Sequence, residues 1–164
     1  MAANKRALRL VKAMDYLSTK SSLIAFENNS LILNKVKLEA SSNGALKASF
    51  VVDKPKCNIG GILHGGYIAA MVDFMSYAAV LMTPNGRLSY TTNMNINYVK
   101  SVWIGEKVLV ETKSLKSGKS PLIETYFHGE DGTLLAKGTT AFLAAEEKYQ
   151  NIPKETINFD VYED

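Results

Sequence analysis

The chain has 164 residues, 46% hydrophobic and 21% charged, the make-up of one ordinary globular domain, so a second full domain has no room. Its single cysteine, Cys57, excludes an intramolecular disulfide framework, and with only His64 and His128 beside it no metal site is expected, which suits a reducing compartment. A net charge of +3, scattered along the chain, excludes a nucleic-acid footprint but leaves room for a phosphorylated small molecule.

Charge separates the two ends. Residues 1–12 carry Lys5, Arg6, Arg9 and Lys12 with no acid, whereas from Glu146 onward six acids face only Lys148 and Lys154. Residues 1–29 read as an N-terminal helical segment, with Leu8, Val11 and Leu17 on one face. A short surface helix is the favoured reading, and a mitochondrial presequence the alternative; the expected location is therefore cytoplasmic, or else mitochondrial.

A main domain follows over residues 30–145. Residues 31–38 and 45–52 alternate with period two and are separated by the turn-like Ser41, Ser42, Asn43 and Gly44, which predicts a hairpin. Residues 57–86 break the pattern, because Asp73 is their only formally charged residue. Within them residues 65–82 are apolar nearly all round and closed by Thr83-Pro84-Asn85-Gly86, which predicts one enclosed helix. A membrane span is disfavoured, since Asp73 cuts the apolar run into pieces too short for a bilayer.

Strand patterns return at 88–99, 107–115, 122–128 and 134–143, punctuated by short polar or glycine-bearing turns. The predicted class is α+β, an antiparallel sheet of five or six strands wrapped around a long central helix. Residues 146–164 form a C-terminal tail whose order the pattern leaves open.

Chemistry concentrates where the apolar stretch begins. The approach to the helix, residues 57–66, holds Gly60, Gly61, Gly65 and Gly66, and free N–H groups at a helix N-terminus suit a developing oxyanion; glycines that merely permit a tight turn are the other reading. Asp73 is a carboxylate in an apolar helix and calls for a partner or a task. Nine residues separate it from His64, about 13 Å of rise and about 900° of rotation, so the two cannot share a site within one chain. A two-fold dimer would bring His64 of one subunit to Asp73 of the other. On the strand at 88–99, strict alternation places Thr91 on one face with Asn93, Asn95 and Asn97. Serine-hydrolase, Walker and dinucleotide motifs are absent, and Cys57 is a weak nucleophile candidate.

The spaced set Asn58, His64-Gly65-Gly66 and Asp73, followed by a strand with Thr91, Asn93, Met94 and Asn95, resembles the hotdog-fold thioesterases of the phenylacetic-acid-degradation and thioesterase superfamily member 2 type. The resemblance implies the hotdog fold, an acyl-CoA substrate, a place in fatty acid metabolism, no cofactor, and a homodimer doubled into a homotetramer. It also implies roles. The Gly65 N–H would polarise the thioester carbonyl, with Gly66 beside it, Asn58 would hold that carbonyl or the water, and His64 would orient Asn58 or the thioester. Asp73 from the neighbouring subunit would act as base or nucleophile. Thr91 would position the water, where the family commonly has Ser. For the CoA phosphates the candidates are Lys116, Gly118 and Lys119, with Lys107 and Lys137 behind them, and Tyr67, Phe74, Met75 and Tyr77 are either acyl-tunnel or core residues. The alternatives are a hotdog acyl-thioester dehydratase or hydratase and a non-catalytic acyl-CoA-binding subunit.

Overall fold

A computed structural model of the protein describes residues 5–19, 32–33, 35–40 and 45–163. In chain order its elements are α1 (Lys5–Thr19), β1 (Lys37–Ala40), β2 (Leu46–Val51), α2 (Gly65–Met82), β3 (Ser89–Tyr98), β4 (Lys107–Lys116), β5 (Leu122–Gly129), β6 (Leu134–Ala144) and α3 (Ile152–Ile157). The six strands form one antiparallel sheet in the order β1-β2-β4-β5-β6-β3, with α2 packed on one face.

Alternation decides which face α2 covers. Val108, Val110 and Thr112 of β4, Ile123, Thr125 and Phe127 of β5, and Ala136, Thr140 and Phe142 of β6 are buried, while their neighbours along each strand are more open. Against them α2 sets Met71, Val72, Met75 and Leu81, each fully buried and each worth roughly 1.5–3 kcal/mol of transfer free energy. At Gly138 helix and sheet approach closely: a Cβ there would lie 2.4 Å from a Val72 methyl, so glycine lets the helix settle. By length and composition α2 could cross a membrane, yet 67% of it is buried within the fold, as its role as the filling of the sheet predicts.

Two local expectations need correction. The first strand is Lys37–Ala40 rather than 31–38; Ile32 and Leu33 form a bend with both side chains buried, which a strand packed on one face cannot achieve for neighbours. The expected turn at 41–44 lies outside the described residues. On α1 the inward face is Ala7, Leu10, Ala13 and Met14, while Leu8 is 50% exposed; the side chain of Leu17 lies outside the described residues.

Arg6 accounts for that rotation of α1. It is 2% exposed, and its guanidinium donates to the carbonyls of Leu81 and Gly86 at the end of α2 and to those of Val161 and Glu163 in the tail. Arg9 pairs with the Glu163 carboxylate, so the basic start and the acidic end of the chain meet. The tail is ordered in consequence, with Pro153, Ile157, Phe159 and Val161 buried.

Candidate active site

The loop before α2 is built on a buried lysine. Lys56 is 2% exposed and its ammonium donates to Asp53 Oδ1 at 2.6 Å; this hydrogen bond holds the Asp53 carboxyl below its ordinary range. From that anchor the Lys56 carbonyl accepts the His64 N–H at 2.9 Å, and the Asn58 Oδ1 accepts the N–H groups of Gly60 at 2.9 Å and Ile62 at 3.2 Å. The oxygen of Asn58 therefore serves the loop. Its amide N–H₂ is the end left to meet a substrate carbonyl or water.

His64 caps α2 with its side chain. Its Nδ1 accepts the Gly66 N–H at 2.9 Å, which fixes the neutral tautomer with the proton on Nε2. The His64 carbonyl takes the N–H groups of Tyr67 and Ile68 at 2.9 and 3.2 Å. Of the first four N–H groups of the helix, that of Gly65 alone has no partner among the described residues. Gly66 thus offers no free donor to a ligand, contrary to its expected role; a Cβ on it would meet the His64 ring at 3.1 Å, so it serves the cap instead. Tyr98, which the sequence did not single out, donates its hydroxyl to the Gly65 carbonyl at 3.1 Å.

Asp73 lies eight residues further, about 12 Å along the axis. It is half-buried rather than enclosed, on a stripe of α2 left partly open at Gly66, Ala69, Ala70, Asp73 and Tyr77. Thr91 Oγ1 donates to Asp73 Oδ1 at 2.6 Å, leaving Oδ2 for a further donor.

Strict alternation put Thr91 on the asparagine face, and the structure corrects this. Thr91 pairs with Phe142 and Asn93 with Ala141, so Thr92 is an extra residue in β3. The bulge reverses the side-chain parity. Thr91 therefore shares the helix-facing side with Met94, Ile96 and Tyr98, while Asn93, Asn95 and Asn97 lie opposite the partly open Ala141, Thr139 and Lys137.

Asp73 and Thr91 stand at a cleft of about 400 Å³, within the usual range for small-molecule sites. Its walls include Phe74 and Tyr77 of α2, Met14 of α1, and Ile152 and Thr156 of α3. Of the residues read as either acyl-tunnel or core, Tyr67 and Met75 are core, the Tyr67 hydroxyl donating to the Ile32 carbonyl at 2.9 Å, while Phe74 and Tyr77 line the cleft. Sequence reasoning missed Met14, Ile152 and Thr156, whose only signal was the apolar spacing in the two terminal segments.

Lys116 ends β4, and Gly118 and Lys119 follow in the β4–β5 turn, where Gly118 takes φ of +88°. The Lys119 carbonyl accepts from Ala144, and Ala144 pairs with Ser89, so the turn sits at the Thr91 end of the sheet without lining the cleft. Lys107 and Lys137 are engaged by Glu130 at 3.1 Å and Glu124 at 2.5 Å. Cys57 Sγ donates to the Asp53 carbonyl at 3.3 Å.

This arrangement resembles known proteins in sequence and in shape. Residues 60–122, which hold His64, Asp73 and Thr91, match the Thioesterase superfamily model. Human acyl-coenzyme A thioesterase 13 is 33% identical over 89 residues, a match covering 54% of this chain and 64% of that relative's length. Zebra fish thioesterase superfamily member 2 superposes with a TM-score of 0.74 at 25% identity, over 83% of this chain and 98% of that one. A Streptococcus mutans protein solved bound to acetyl CoA shares the fold, with a TM-score of 0.64 at 21% identity over 77% of this chain and 96% of that one. The antiparallel sheet wrapped on a central helix is thus shared ground: the chain has the hotdog fold of these thioesterase structures, and its residues 60–122 are similar to the Thioesterase superfamily, while it spans less than two thirds of the length of the acyl-coenzyme A thioesterase 13 relatives it matches.

Proposed function

We propose that the protein hydrolyses an acyl-CoA thioester to a free carboxylic acid and CoA, in sites shared between two subunits. The observation that carries this reading is the Asp73 carboxylate at the mouth of a cleft, with one oxygen held by Thr91 and the other open to a donor. Such a group can take a proton from a water that attacks the thioester carbonyl.

The other requirement is a donor for the oxyanion, and the Gly65 N–H at the α2 N-terminus, without a partner among the described residues, is suited to it. Within one chain it is too far from Asp73. The edge strand β3 offers a remedy, since nearly all of it is exposed, including Tyr90 and Tyr98, and an edge of ten residues that pairs with no further strand among the described residues invites another strand. Antiparallel pairing of two β3 strands centred between Met94 and Asn95 would set Thr91 opposite Tyr98 of the partner subunit. Because Tyr98 holds the Gly65 carbonyl, this register brings each Asp73 towards the other subunit's helix entry.

In the proposed cycle, water attacks the carbonyl carbon as Asp73 accepts its proton. Gly65 and the Asn58 amide of the other subunit stabilise the tetrahedral oxyanion. Collapse breaks the C–S bond, and the departing CoA thiolate takes the proton held by Asp73, which restores the carboxylate. His64 acts by holding the helix entry and presenting Nε2–H. The reaction as written uses no metal or cofactor. Lys116 and Lys119 are the basic groups proposed for the CoA phosphates, and the outer sheet face, exposing Val51, Leu109 and Leu143, is proposed for the second pairing into a tetramer.

The test is incubation with a panel of acyl-CoAs and a thiol reagent. Release of free CoA, abolished by Asp73→Asn with substrate binding retained, supports the reading. An enoyl-CoA absorbance change without thiol release would mark a hydratase, and binding without turnover a carrier subunit.

A further inference from the structure

The C-terminal segment has no part in the chemistry above, yet it forms one side of the cleft in front of Asp73. Helix α3 lies with Ile152 and Thr156 towards the cleft, and the Thr156 hydroxyl is tied to the Ile152 carbonyl at 2.8 Å. Phe74 and Tyr77 of α2 and Met14 of α1 line the same space.

This wall is fixed rather than loosely laid on. The Gln150 side chain accepts from the Leu88 N–H at 2.8 Å and donates to the carbonyls of Leu88 at 3.1 Å and Ala145 at 2.9 Å. Gln150 is 2% exposed, and beyond α3 the tail is clamped by Arg6 at the Val161 carbonyl at 3.1 Å. Held at both ends, α3 presents side chains at a set distance from the reacting carboxylate.

We propose that α3 determines which acyl groups this site accepts, with Ile152 and Thr156 setting the space open to an unbranched apolar acyl chain. The inference rests on the thioesterase reading for the position of the reacting carbon, beside Asp73. From there Phe74, Tyr77 and Met14 offer apolar surface to a chain within the cleft, and Ile152 and Thr156 of α3 complete its lining. Ile152 is 41% exposed, so a change there alters the cleft without opening the core.

The experiment compares wild type with Ile152→Trp, Thr156→Trp and Ile152→Ala over straight-chain acyl-CoAs from short to long, reading kcat/KM. Binding of non-hydrolysable acyl-CoA thioethers of the same lengths is measured alongside. The two tryptophan variants are expected to lose at least about tenfold in kcat/KM and in affinity for the long members, with the shortest changed less than about threefold, while Ile152→Ala shifts the optimum towards longer chains. Uniform change across the series, or none, overturns the proposal even if hydrolysis is robust. If no acyl-CoA is hydrolysed but the length-dependent affinity and its loss in the tryptophan variants persist, the hydrolytic reading fails and the role of α3 stands.

Discussion

The Thr91 hydroxyl reaches Asp73 Oδ1 at 2.6 Å from a strand position that unbroken alternation would turn to the opposite face of the sheet. A single extra residue, Thr92, makes the contact possible. The pair orients the carboxylate, and Thr91→Val should therefore lower kcat about 10- to 100-fold, the worth of a hydrogen bond to a charged group. Thr91→Ser, which keeps the hydroxyl, should stay within about threefold. Steady-state rates on a common acyl-CoA decide this, and equal losses for Val and Ser would show that the hydroxyl is not what matters.

Gly65 provides a sharper probe, because a backbone donor can be deleted there without removing a side chain. Proline is tolerated at the first position of a helix, and His64 already has the extended φ of −67° and ψ of 131° that a residue before proline prefers. A Cβ at Gly65 meets the Tyr98 ring only at 3.4 Å, an ordinary contact. Gly65→Pro is predicted to keep the melting temperature within a few degrees while cutting kcat by about 100-fold or more. Unchanged turnover would remove Gly65 from the oxyanion site.

Much of this was legible in the sequence because it depends on local rules. The helix over 65–82 and the last four strands follow from apolar runs and alternation, and α2 has those bounds. The candidate site was legible as types and spacings, but the bulge at Thr92 was not, since no local signal marks an extra residue in an otherwise regular strand. Nor was the wall at Ile152, because it depends on Arg6 and Gln150 drawing the tail back across the fold. The charge separation between the two ends was visible, and its meaning emerges only when Arg9 is seen beside Glu163. Long-range placement of this kind is tertiary information.

The anchor beneath the glycine loop should govern acid stability. Asp53 has a lowered pKa in the folded protein, chiefly from the Lys56 hydrogen bond, so its contribution is present above the ordinary carboxylate value near 4 and is lost as pH falls through the lower folded value. Asp53→Asn leaves the Lys56 ammonium buried without its partner and should cost about 3 kcal/mol at neutral pH. Denaturant melts of both proteins from pH 7 to pH 2.5 check this. The stability gap should narrow on acidification, and a gap independent of pH would assign the loss to packing.

Gly138 tests the fit of helix to sheet. A methyl there would overlap Val72, and Gly138→Ala should destabilise the fold by about 1–3 kcal/mol through strain. Trimming the obstruction with Val72→Ala in the same chain should recover part of that loss, so a double-mutant cycle in urea gives the coupling directly. Strictly additive losses would place the strain elsewhere.

The most direct measurement mixes two inactive proteins. Asp73→Asn and Gly65→Pro chains, dissociated together and reassociated, form hybrids in half of the dimers, and one of the two shared sites in each hybrid keeps both an intact Asp73 and an intact Gly65. Thiol release should then return to about a quarter of the wild-type rate, although neither variant turns over alone. A mixture as inactive as its components would contradict a site shared across the subunit boundary.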